Sequence, residues 1–129
     1  MVKQFLIISA LGMFLGVALG AFGAHGLKQK ISQEMLNIWN TAVLYHMFHC
    51  LGLAIVALSF KFFGGTHWFL WSGWALIIGI LIFSGSLYIL ALSGVRWLGA
   101  ITPLGGLSFL LGWLFIAVAV WRNRVNEFK

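Results

Sequence analysis

Aspartate is absent from this 129-residue sequence, glutamate occurs twice, and charged side chains of every kind make up 8% of it. A soluble domain carries roughly 25% charged residues, so a water-soluble globular fold and a solvated disordered chain are both excluded. Neither carboxylate, Glu34 or Glu127, falls in the middle of an apolar stretch. That removes paired-carboxylate acid–base chemistry, a Ser-His-Asp arrangement and the buried acid a small proton-coupled exporter requires. Cys50 is the single cysteine, which rules out an intrachain disulfide and a dithiol redox pair and leaves Cys50 as a small packing residue. No phosphate-binding loop is present. The sequence is read as that of a non-enzyme without a cofactor or metal centre.

What is present is apolar: 62% of the residues, with a mean hydropathy of +1.04. The formal charge of +6 comes from basic residues scattered singly, the pattern of membrane flanks and not of a nucleic-acid surface. The charges leave four uncharged windows: Gln4–Leu27, Met35–Phe60, Phe62–Val95 and Trp97–Trp121, of 24, 26, 34 and 25 residues. Each exceeds the ~18 residues that mark a candidate span. Hydrocarbon offers no partner for backbone N–H and C=O groups, so the windows should be helical, and the short alternating segments of a β-barrel are missing. The expectation is all-α: one integral membrane four-helix bundle, with helices near 4–25, 33–61, 67–93 and 98–121 and both termini on the same side. The first window is longer than the ~7–15-residue apolar core of a cleaved leader and is read as a span.

Ser32 is placed to cap the second helix, with Glu34 in its first turn, so that helix should begin a turn or two outside the bilayer. Gly64-Gly65-Thr66 separates helices two and three; Gly94 and Thr102-Pro103 bound the last connection. The side with the termini carries Lys3, Lys61, Arg122, Arg124 and Lys129, the other Lys28, Lys30 and Arg96. The positive-inside rule then places both termini in the cytoplasm, and a bias this modest leaves dual topology open.

Small residues recur at helical spacings. Gly12, Gly16 and Gly20, continued by Ala24, form a doubled GxxxG row, which lets helix backbones approach closely. Ser72, Gly79, Ser86 and Ser93 recur every seven residues on helix three, and Gly105, Gly112 and Ala119 on helix four. Such heptad seams suit left-handed crossing.

Chemistry-bearing candidates are few. Tyr45, His46 and His49 share one face of helix two, within about 100° of one another. His25 ends helix one on the side to which Arg96 also returns, so His25, Tyr45, His46, His49 and Arg96 form a candidate polar cluster near the extracytoplasmic face. Ionisable groups inside a membrane are costly and point to function. Three uses are weighed: neutral imidazoles tying helices together by hydrogen bonds, a proton relay or pH switch, and zinc or copper ligation, for which no carboxylate or thiolate completes the set. Arg96 alone would snorkel to lipid headgroups, and Pro103 starts or kinks helix four.

The sequence resembles the small multi-pass bacterial membrane proteins of the YgdD/YwdK type. The similarity rests on Gly20-Ala-Phe-Gly-Ala-His-Gly-Leu27, on Trp39, Thr41-Ala42 and Tyr45 through His49, on Phe83-Ser-Gly-Ser-Leu-Tyr-Ile-Leu90, and on Leu98-Gly-Ala-Ile-Thr-Pro-Leu-Gly-Gly106. It implies four helices in the bacterial cytoplasmic membrane, with His25 and His49 as motif positions and His46 as the more optional one. It brings no activity with it. The expected function is a membrane-structural or interaction role in the plasma membrane. The alternative is a small channel or carrier for an ion, proton or small solute that uses the His/Tyr/Arg cluster. Expected contacts are membrane lipids and further copies of the chain in a homo-oligomer, with no nucleic acid; no other protein partner is legible.

Overall fold

The Ser32 hydroxyl accepts a hydrogen bond from the Met35 N–H at 3.2 Å, and Glu34 lies in the turn that follows. One orphan donor of the helix end is thereby satisfied, and a carboxylate faces the positive end of the dipole. At the far end of the next helix, Gly94 adopts φ +70, a left-handed geometry that glycine takes without steric cost and that stops the helix. Pro103 occupies the first turn of the regular α-helical segment Thr102–Arg122 of the last helix, where its missing N–H has no partner to lose.

In the computed structural model, which describes residues 1–123, four helices result: α1 (Val2–Leu27), α2 (Gln33–Phe62), α3 (His67–Ser93) and α4 (Arg96–Arg122). All four are long and apolar enough to cross a bilayer. At ~1.5 Å per residue the 30 residues of α2 span about 45 Å, more than the ~30 Å of hydrocarbon. Its polar first two turns, with Gln33, Glu34, Asn37 and Asn40, account for the excess. Two helices contain a widened, π-type turn, Gly23–Leu27 at the end of α1 and Ile80–Ser84 inside α3. The last helix opens with a tight turn, Arg96–Ala100. Val2 and Arg122 lie at one end of the bundle; the Asn123 side chain reaches the Gly64 carbonyl at 3.5 Å. The expectations for Arg124, Glu127 and Lys129 fall outside the described residues.

The helices pack in chain order, α1 on α2, α2 on α3 and α3 on α4. The most buried spans are α2 and α3, and α1 is the least buried. The contact between α1 and α2 keeps a constant antiparallel register. Gly12 faces Cys50, Gly16 faces Met47, Gly20 faces Val43 and Gly23 faces Trp39. On the other side of the bundle Gly79 meets the Phe109 ring, Gly112 meets Leu76, and Gly105 meets the backbone of Phe83. Ser72, Gly79 and Ser86 are buried along α3, whereas Ser93 is exposed. Ser93 leaves the seam because the helix stops at Gly94; its hydroxyl donates to the Ile89 carbonyl and accepts from the Val95 N–H.

Serines supply most of the polar contacts between helices. Ser9 donates to the Cys50 carbonyl at 2.6 Å, Ser84 to that of Ala42 at 2.8 Å, Ser72 to that of Gly112 and Ser108 to that of Ala75, both at 2.7 Å. Ser86 and Thr102 share a further bond at 2.7 Å. Lipid competes poorly for hydroxyls, so each bond ties two helices, though it averages only ~0.6 kcal/mol in membrane proteins. Ser72→Ala and Ser84→Ala should therefore each lower stability in a detergent unfolding titration by roughly that amount. A loss several times larger for either would mean that the serine does more than join two helices.

Candidate functional site

The five residues of the candidate cluster are distributed over three places. His25 is exposed in the widened last turn of α1. Arg96 is exposed at the start of α4 and pairs with Glu34, Nη1 to Oε1 at 3.0 Å and Nη2 to Oε2 at 3.3 Å. This two-pronged ion pair clasps the α2 and α4 ends, and Arg96 is a tether there, not part of a histidine site. Only Tyr45, His46 and His49 stay together, because one helix carries them.

Their depth also differs from the sequence expectation. His46 and His49 are the fourteenth and seventeenth of the 30 residues of α2, so both imidazoles stand at mid-length. The register sets Gly12 and Gly16 of α1 beside them, and Phe109, midway along α4, lies against His49. An exit-level cluster required α2 to stand much further out of the bilayer than its polar first two turns allow.

The two buried histidines face opposite ways. His46 turns toward α1 and α3: its Nδ1 lies 2.9 Å from the Tyr88 hydroxyl, and its Nε2 lies beside Gly12. Tyr88 starts nearer the helix end and reaches the middle because side chains lean toward the N-terminus of their own helix. A cavity of about 470 Å³ between α1 and α3 has His46, Cys50 and Tyr88 on its floor and Leu11, Leu15 and Ile80 among its walls. His49 turns toward α4. Its ring stacks on Phe109 with centroids 3.4 Å apart and planes 10° from parallel, and Trp113 approaches edge-on at 6.0 Å. Its Nδ1 lies 2.6 Å from the Tyr45 carbonyl oxygen one turn back. Tyr45 itself packs on Phe83 at 4.4 Å. Among the described residues no group of three or more His, Cys, Asp or Glu side chains is arranged to hold a metal ion.

Tyr88, Phe109 and Trp113 were missing from the sequence-derived cluster. Tyr88 could have been found, since the chain has only two tyrosines and buried phenols seek a polar partner. The Phe109 stack leaves no comparable mark, because phenylalanine is unremarkable in an apolar helix.

A family model described as "Protein of unknown function (DUF423)" matches residues 19–106, a stretch from the end of α1 through the start of α4 that includes both buried histidines. The chain belongs to this family. It is similar to the UPF0382 membrane protein YwdK of Bacillus subtilis, 49% identical over 117 residues covering 91% of this chain and 95% of that one. A UPF0382 membrane protein of Staphylococcus epidermidis is 49% identical over 119 residues, covering 91% and 94%. The UPF0382 membrane protein SH2409 of Staphylococcus haemolyticus is 47% identical over 122 residues, covering 93% and 97%. No solved structure matches the chain. This DUF423 protein is an integral membrane protein, and each of its four helices is long and apolar enough to be a span.

Proposed function

We propose that this DUF423 protein is a non-catalytic component of the bacterial cytoplasmic membrane, with both termini in the cytoplasm, that acts through contacts made within the bilayer with lipids and further copies of itself. The observation that supports this reading is the use made of its interior polar groups. Serine hydroxyls on α1, α3 and α4 donate to backbone carbonyls of neighbouring helices, and His46 and Tyr88 engage each other. Groups paired in this way hold a bundle together. Along the sequence, five basic residues flank the termini and the second connection (Lys3, Lys61, Arg122, Arg124 and Lys129) against three in the first and third connections, a bias that favours cytoplasmic termini, and the relatives named above come from bacteria.

Two measurements test the proposal. Reporters active only in the cytoplasm, fused at residue 1 and at residue 129, should both be active; one silent terminus would overturn the topology, and equal signals from both orientations would indicate dual insertion. Purified protein in liposomes should conduct protons and small ions no faster than empty vesicles. Saturable flux abolished by His49→Ala would instead establish a channel or carrier.

A further inference from the structure

The two mid-depth imidazoles differ in what they leave unmatched. His46 has the Tyr88 hydroxyl at Nδ1 and the Gly12 backbone beside Nε2. At His49 the partner of Nδ1 is a carbonyl oxygen. A carbonyl only accepts, so in the neutral ring that hydrocarbon favours the proton is on Nδ1 and Nε2 is a bare acceptor. The ring is 7% exposed, its face is fixed by Phe109, and no described residue donates to Nε2. It borders a cavity of about 330 Å³ whose other walls are Leu44, Tyr45, Phe48 and Trp113. An acceptor this deep in an apolar medium is costly until a donor meets it.

We propose that this cavity binds a lipophilic phenol of the hydroquinone type, its hydroxyl donating to His49 Nε2 and its ring lying among Tyr45, Phe48 and Trp113. Depth, access, polarity and shape each narrow the ligand. The site is at mid-length of the bundle, roughly 15 Å from either edge of the hydrocarbon, where charged and phosphate headgroups are excluded. The exposed side chains of Leu44, Phe48 and Trp113 open it sideways to lipid, so the ligand must itself dissolve in the bilayer. An acceptor selects for an O–H donor and against a quinone, which only accepts. Aromatic walls favour a flat ring over an aliphatic alcohol, and the volume is at the small end of ligand pockets, ~300–1,000 Å³, enough for one substituted ring with its tail left in lipid.

The test uses the full chain in phosphatidylcholine nanodiscs with ¹⁵N-labelled histidine, titrated under reducing conditions with decyl-hydroquinone and, separately, with its dimethyl ether. The ether keeps the ring and tail but has no hydroxyl to donate. The hydroquinone should move the His49 Nε2 resonance saturably, the ether should bind about tenfold more weakly, and His49→Phe, which keeps the stack on Phe109, should abolish the difference. Equal binding of the two probes would overturn the proposal, as would an Nε2 resonance that does not respond. The probe comparison uses the unaltered protein and so decides the matter even where His49→Phe fails to fold. A resonance that shifts with protein concentration alone would assign Nε2 to a donor on a second copy and also overturn it.

Discussion

Gly105→Ala is expected to be the most damaging single methyl addition in this protein. The new β-carbon would overlap the backbone nitrogen and Cα of Phe83, and backbone within a helix cannot turn aside as a side chain can. Relief requires α3 and α4 to separate along the seam that also holds Ser72, Gly79 and Gly112. Overpacking of this kind costs ~1–3 kcal/mol and occasionally more; the upper end is expected here, read as a lowered unfolding midpoint in detergent. Its neighbour provides the control. A β-carbon on Gly106 would meet only the Phe83 ring, at 3.8 Å, an ordinary contact, and alanine is the better helix former by about 1 kcal/mol. Gly106→Ala should thus be neutral or stabilising. Equal losses from the two substitutions would mean that α4 does not present Gly105 to α3.

The second large effect is expected at Trp39. Its ring is 2% exposed, lies over Gly23 with no room for a β-carbon there, and meets Tyr88 at 4.7 Å and Phe22 at 5.9 Å. Its indole N–H donates to the Leu19 carbonyl at 2.9 Å. Trp39→Ala removes both packing and bond. Burial in lipid gains nothing from leaving water, but the lost contacts and the cavity remain, so the lower end of the ~3–5 kcal/mol range for such truncations is expected. Trp39→Phe keeps most of the ring and loses the N–H, an expected ~0.6 kcal/mol. If the two variants lose the same amount, the hydrogen bond and not the packing anchors the end of α1.

These contrasts show which parts of the structure were legible in the sequence. Gly12, Gly16 and Gly20 could be read because close approach of two helices imposes a spacing on residues that must lack side chains. The four spans could be read because hydrocarbon forces long uncharged helices. Ser9, Ser84 and Ser108 could not, since a hydroxyl that reaches a carbonyl on another helix needs no periodicity of its own. The Ile80–Ser84 turn also widens the helix midway and brings Ser84 inward between the seam positions Gly79 and Ser86. The histidine site was half legible. Tyr45, His46 and His49 share a helix, so their proximity is local. The partners that decide their chemistry, Tyr88 for His46 and Phe109 for His49, lie 42 and 60 positions away and follow only from the packing. Arg96 was drawn into the site by its side of the membrane, whereas its true partner, Glu34, is the carboxylate nearest that edge.

The central claim is the register that seats the glycine row of α1 against the middle of α2 and so fixes both imidazoles at mid-depth. Cys50, the native and only cysteine, makes it directly measurable. A β-carbon at Gly12 would stand 3.7 Å from the Cys50 β-carbon, close to the ~3.8 Å mean of a disulfide. Oxidation of the Gly12→Cys protein in membranes should therefore close an intramolecular disulfide, seen as the loss of two hydrogens in the intact mass of the monomer and reversed by reductant. Leu11→Cys, at a position 63% exposed, should close no such bond, and both thiols should alkylate once the protein is denatured. Closure from position 11 with none from position 12 would contradict the register and, with it, the placement of His46 and His49.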